Sequence, residues 1–443
     1  MNFRFFLVSL VLILAPLIRG GNRPLALLIL EVLALVIILE ILLKPQVVKQ
    51  VSGHVILFLL FLLLLPLFYL IPIPFQFWVD LPGHRFYADA LTMGADSIKQ
   101  SSIPISLDAS STWYSWLALL PPVAIFLAML SFTREHCKLF VLLFILMAAL
   151  EAVLGLVQYA QGPSSVLRFG LFNGHSAIGT YSNRDHLAGM LEMALPVSIA
   201  FMLSGLHLKL DSRLQSSRNR FLAIKPHTLI KGLLVVLISL GLIFTQSRTG
   251  FALLLVLTLL TMVIFSILLV RSTTKSAMTI ALTLVFGCAL YIGLVPVLDR
   301  FTVDPMTDGR WPIFHSTWQA IQEFFPIGSG VGTYDSVFPR FQSPEIATVI
   351  ISHAHNDYLE WLMEAGVFAA LLLLWFLIAY ISRWISVLRL DNLQKNDLIQ
   401  AGAGLAIFAM IIHSFVDFNL HIPANQIYFA LIASVFFKRD FKN

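Results

Sequence analysis

Five basic residues carry most of the chemistry legible in this sequence. His353 and His355 stand in SHAHNDYLEWLMEAG, residues 352–366, while Arg184 stands in GTYSNRDHLAG, residues 179–189, Arg248 in TQSRTG, residues 245–250, and Arg310 in DGRWP. A neutral imidazole in reach of water is suited to take a proton from a hydroxyl group near neutral pH. A guanidinium cannot lose its proton and grips phosphate oxygens in pairs, so a cluster of arginines suits a diphosphate. Base and anion site together describe a transfer onto a hydroxyl with a phosphorylated leaving group.

Each residue also has a plainer reading. An arginine at a membrane boundary reaches headgroups or pairs with an acid; Arg184 has Asp185 beside it and Arg310 has Asp308. A histidine can cap a helix. His353 and His355 would face one way on a strand and diverge on a helix. HAHND matches neither HExxH nor a Cys/His pattern and falls short of the three or four ligands of a zinc site, so no metal is expected. Asp357 and Glu360 either orient an imidazole or an acceptor hydroxyl, or place negative charge at a helix N-terminus. Trp311, Phe314, Trp318 and Phe325 recur at broadly helical spacing, as an interfacial belt or a surface for stacking sugars. Gly328, Gly330 and Gly332 alternate in a turn that lacks the Lys-Ser/Thr of a phosphate loop, though a backbone nest for an anion stays open.

The elements that position these residues are hydrophobic helices. The chain is 58% hydrophobic and 12% charged, with a mean hydropathy of +0.86, whereas a soluble domain carries roughly 25% charged residues. Its apolar stretches have the length a helix needs to cross a bilayer and lack the period-2 alternation of barrel strands. The expectation is an all-α, polytopic transmembrane helix bundle of about twelve spans. They fall near 3–18, 24–43, 53–72, 113–132, 139–160, 183–204, 232–247, 249–270, 277–298, 366–382, 398–418 and 422–437. The first is expected to be retained, since no small-residue cleavage motif follows Ala15. Cys137, in a short basic loop, and Cys288, in an apolar span, suggest no disulfide.

Most lysines and arginines then fall on one side, at Arg4, Lys44, Arg134, Lys138, 209–231, Arg383 and Lys438 among others. That asymmetry puts both termini in the cytoplasm and the long loops 73–112 and 299–352 outside, as parts of a single domain, 1–443. The net charge of +5 needs no nucleic acid: it follows from orientation, with membrane lipids as the partner of the basic 207–231 loop. Arg184, Arg248, Arg310, His353 and His355 are left at the outer rim.

From Gly179 onward the chain resembles the superfamily of O-antigen ligases and lipid-linked polysaccharide polymerases. GTYSNRDHLAG, SRTG, DGRWPIFHSTW to GSGVGTYD, HAHNDYLEWLMEAG and HSFVDFNLHIPANQ carry the resemblance, in order and spacing together. It implies a GT-C-like bacterial inner-membrane glycosyltransferase, free of metal and cofactor, acting at the periplasmic face. Its donor would be an undecaprenyl-diphosphate-linked oligosaccharide and its acceptor a hydroxyl. Arg248 and Arg310 would bind the diphosphate, with Arg184 completing the cluster; His355 would be the general base, with His353 as the alternative. Asn183, Asn356, Asp357, Tyr358 and Trp311 are the expected substrate-binding neighbours. NRDH, HAHNDYLEW and HIPAN look most like a polysaccharide or exopolysaccharide polymerase, to which a chain-length co-polymerase is a possible partner. The alternatives are ligation onto lipid A-core, protein O-oligosaccharyl transfer, and a flippase that binds the lipid diphosphate without transferring it.

Overall fold

The computed structural model describes residues 3–44, 53–94, 100–170, 174–204, 226–269, 309–388 and 397–438, with a few positions between 279 and 291. The helices are α1 (Phe3–Leu17), α2 (Pro24–Leu42), α3 (Gly53–Tyr69), α4 (Arg85–Gly94), α5 (Ala109–Ala118), α6 (Leu120–Ser131) and α7 (Arg134–Gln161). They continue as α8 (Arg184–Ser204), α9 (Pro226–Phe244), α10 (Arg248–Leu268), α11 (Arg310–Phe324), α12 (Asp357–Leu388), α13 (Asp397–His413) and α14 (Pro423–Phe437). Among the described residues, α2, the continuous α5–α6 pair, α7, α8, α10 and α12 are long and apolar enough to cross a membrane, and α1, α3, α9, α13 and α14 contain shorter apolar helices. The chain is a multi-pass, helical membrane protein. The span expected at 277–298 lies almost wholly outside the described residues.

Several boundaries differ from the hydropathy reading. Helix α12 starts at Asp357 and is broken at Gly366, where the expected span begins; the turns before the break are polar and hydropathy does not register them. Cys137 is a buried free thiol in the first turn of α7, not a loop residue.

The bundle centres on α8, most of whose residues are buried. It packs closely on α13: a Cβ at Gly402 would lie 2.7 Å from the carbonyl oxygen of Pro196. In lipid, helices gain little from water exclusion, so backbone approach at small residues provides the attraction. At one end of the bundle Arg4 pairs with Glu40 and binds Ser131, while Lys438 donates to the Leu130 carbonyl at 3.0 Å and Arg383 to the Phe436 carbonyl at 2.8 Å. Cations there satisfy carbonyls that α6 and α14 leave open at their C-termini.

A small cap covers the other end. A two-stranded antiparallel ribbon, β1 (Pro72–Pro74) and β2 (Ser102–Pro104), pairs Ile73 with Ile103. Beside it α11 buries Ile313, Ala320, Ile321 and Phe324 and exposes Trp311 and Trp318, which is the amphipathic helix its spacing predicts. His84 is wholly buried, with Nδ1 2.9 Å from the Pro82 carbonyl and Nε2 3.0 Å from that of Ile105.

The cap is stitched into a break in α12. Gly366 has φ +52°, and a Cβ there would stand 2.1 Å from the Pro326 carbonyl oxygen. Through the break, Val367 donates to Pro326 at 2.9 Å, Ser329 to Met363 at 3.0 Å and Gly330 to Glu364 at 2.9 Å. The glycine-rich turn holds a carboxyl of the protein's own: Glu364 accepts from the backbone amides of Tyr334, at 3.0 Å, and Gly332.

Candidate active site

The site forms where the N-termini of α8, α11 and α12 meet the α13–α14 connection. Asn356 caps α12, its Oδ1 accepting from the amides of Tyr358 and Leu359 at 3.1 Å each while its Nδ2 donates to the Phe415 carbonyl at 2.9 Å. The capping residue is therefore the asparagine and not a neighbouring histidine. Asp357 is fully buried and accepts from Ser414 Oγ and His421 Nδ1, each at 2.7 Å. Tyr358 donates its hydroxyl to the Ile411 carbonyl at 2.7 Å. Asn183 accepts from the Asp185 amide at 3.0 Å at the start of α8. Each of these four side chains makes at least one hydrogen bond within the fold. Trp311 is half exposed and meets Phe314 edge-on at 5.8 Å.

The two histidines diverge, though not on a helix. His355 adopts φ +51°, a left-handed conformation that few residues other than glycine take up and that histidine tolerates better than most. That turn directs its Nδ1 to Asp417 Oδ1 at 3.2 Å, while His353 Nδ1 reaches Glu360 Oε1 at 2.8 Å. An ionised carboxylate can only accept, so each Nδ1 carries the proton it donates, and in the neutral imidazole Nε2 is the nitrogen with the lone pair. Burial would push the Asp417 carboxyl up, but the His355 hydrogen bond and the imidazoles of His186 and His413 together hold it well below the usual carboxylate range. Phe418 separates the rings: His353 stacks on it at 4.2 Å, and His355 and His186 meet it edge-on at 5.0 and 4.7 Å.

Arg184 and Arg310 share one acid. Asp185 Oδ2 lies 3.9 Å from Arg184 Nε and 3.7 Å from Arg310 Nη2, a loose pairing at the first turns of α8 and α11. Asp308, the expected partner of Arg310, lies outside the described residues. Arg248 opens α10 behind the cap Ser247, whose Oγ accepts from Gly250 at 3.1 Å, and Gly250 packs against Ala188 of α8. Arg310, His353, His355 and Phe418 line a single cleft of about 450 Å³, walled on its apolar side by Ile313, Ile346, Val349 and Ile350. The cleft therefore brings a guanidinium and two oriented imidazoles together with an apolar lining.

His353, Glu360 and His421 bring ligand atoms within 4.8 Å of one another, close enough for a cation. The cluster is already satisfied, however: Glu360 accepts from His353 and from the Ala354 amide at 2.7 Å and lies 3.3 Å from His421 Nε2. Burial pushes the His421 imidazole down, but Glu360, Asp357 and Glu364 around it lift it to about 10. The cluster is an ion pair network as it stands, and a cation would have to displace the His421 proton to bind there.

Residues 233–374 match the family model described as O-antigen ligase. The match covers about a third of the chain. This supports the resemblance to the O-antigen ligase and polysaccharide polymerase superfamily, whose members are ligase- and polymerase-type enzymes. A comparison with curated proteins gave no match. The matched segment contains Arg248, Arg310, His353, His355 and Glu360 but ends before Asp417, so the partner of His355 comes from the α13–α14 connection outside it.

Asp185, His186, Asp417, Phe418 and His421 were not expected as site residues. Two of them lie in NRDH and three in HSFVDFNLHIPANQ, where acids and imidazoles interrupt otherwise apolar sequence. Charged or titratable groups at such positions are costly without a task or a partner, and that was the available signal.

Proposed function

We propose that this chain is a bacterial inner-membrane glycosyltransferase of the polysaccharide polymerase type. It transfers a glycan from an undecaprenyl-diphosphate donor to a hydroxyl of another lipid-linked glycan at the periplasmic face, without a metal. The observation that carries the reading is the presence of Arg310 and of the Asp417-held His355 on one cleft.

The donor diphosphate binds among Arg310, Arg184 and Arg248, with its prenyl chain along the apolar wall. The acceptor hydroxyl donates to His355 Nε2. As its oxygen bonds the anomeric carbon, the bond from that carbon to the diphosphate oxygen breaks and its electron pair leaves with the diphosphate. The proton goes to His355, and Asp417 balances the imidazolium. Arginines already in place for the leaving charge supply the larger share of the rate, as fixed dipoles and charges usually do. Reconstitution with purified lipid-linked oligosaccharide tests this: glycan growth with release of undecaprenyl diphosphate supports it, and donor movement across the bilayer without transfer refutes it.

A further inference from the structure

His186 is the third residue of α8, and its ring is buried against the edge of Phe418. Its Nε2 lies 3.8 Å from Asp417 Oδ2, and neither of these buried atoms has a hydrogen-bond partner. The other carboxylate oxygen, Oδ1, is held by His355. Asp417 therefore stands between two imidazoles, one lining the cleft and one sealed behind it.

We propose that His186 is a positioning residue for His355, acting through Asp417 in a His–Asp–His relay. The statement rests on His355 being the base. Buried polar atoms are rarely left unpaired, and these two face each other across a gap only slightly too long for a hydrogen bond, so each is the other's available partner. Asp417 can only accept, so the nitrogen facing it carries the proton and donates it. During transfer the acceptor's proton moves to His355 Nε2, the imidazolium is balanced at Oδ1, and His186 takes up no proton: it fixes the carboxylate's rotation from the far side. The charged and titratable groups around His186 are Asp417, Asp185, His353 and His413. None of them supplies Oδ2 with another donor.

The full-length protein in proteoliposomes provides the test. His186→Phe keeps a ring against Phe418 and removes the donor, while His186→Gln restores a donor. Turnover is expected to fall on the order of tenfold or more in His186→Phe, with the donor KM within about twofold of wild type, and to recover largely in His186→Gln. In a His355→Ala background the same substitution should have no further effect, because coupled residues are not additive. Wild-type turnover in His186→Phe, a loss confined to KM, or a full additional loss in the His355→Ala background would overturn the proposal. If the wild-type protein transfers no glycan, the proposed function fails and a separate readout judges His186. Diethyl pyrocarbonate modification of His355, followed by mass spectrometry across pH, should then differ between wild type and His186→Phe and revert in His186→Gln. Superimposable curves would refute the relay.

Discussion

Asp417 Oδ1 accepts the Nδ1 proton of His355 at 3.2 Å from a position sixty-two residues further along the chain. The dyad fixes which nitrogen of His355 faces the cleft. Replacing His355 with alanine is expected to lower transfer by about 10²–10⁴-fold, the usual contribution of a general base, with donor binding largely kept. Asp417→Asn should approach that loss, since an amide can donate to Nδ1 and so select the wrong tautomer. Single-turnover rates at saturating donor, measured beside donor binding, check both; unchanged rates would remove the dyad from the mechanism.

Arg310→Ala should raise the donor KM by roughly tenfold, the scale of one lost charge-assisted hydrogen bond, and Arg310→Lys should restore only part of it because an ammonium cannot form the two-pronged contact. Asp185→Asn should act in the opposite direction, lowering the donor KM, since the internal acid competes for the same guanidiniums. Titrating donor against each variant in one membrane composition separates the three outcomes.

The cap should loosen in acid. Burial pushes the His84 imidazole below its ordinary value against the opposing pull of the Ile105 and Pro82 carbonyls, so the folded cap holds it neutral. The unfolded segment takes up its proton near pH 6.5 and the folded one only at lower pH, so His84's contribution is complete above about 6.5 and is lost as pH falls toward the folded value. Amide protection factors for residues 75–94 and 100–107, corrected for the intrinsic pH dependence of exchange, should fall between pH 7.5 and 5, and His84→Gln should flatten that dependence.

Gly366→Ala places a methyl group where only hydrogen fits, at a backbone angle that favours glycine. The cost is expected to be at least about 1–3 kcal/mol. Thermal unfolding in detergent would show it as a lower Tm; an unchanged Tm would mean the break at Gly366 relaxes at no cost.

Extensive chelation should leave transfer unchanged, because His353, Glu360 and His421 satisfy one another through protons. A loss restored by added divalent cation would show that the cluster holds one instead.

Much of the bundle was legible because lipid imposes a simple rule on helix length and composition, and the spans expected within the described residues overlap helices, six of them long and apolar enough to cross a membrane. What hydropathy could not register is polar helix, such as the first turns of α12, where Asp357, Glu360 and Glu364 are buried by long-range partners. Arg310, His353 and His355 were legible as chemistry from residue type and position, and the fold brings them to one cleft. The carboxylates that orient the imidazoles were legible only in part. Glu360 lies seven residues from His353 and was considered, whereas Asp417 requires knowing that α13 returns to the start of α12. The spacing of His353 and His355 suggested strand or helix, but the positive φ at His355 belongs to neither.

Asp185 gives the arginine pair a property that follows from ion exchange. A bilayer surrounds this cleft with singly charged headgroups at high concentration, and a bare pair of guanidiniums would be occupied by them continually. With a carboxylate already shared between Arg184 and Arg310, a monoanion would do no more than replace one negative charge with another. The proposed diphosphate would bring more charge and more acceptor oxygens than the acid it displaces, so a site of this kind would pass over the abundant lipid and select the scarce one.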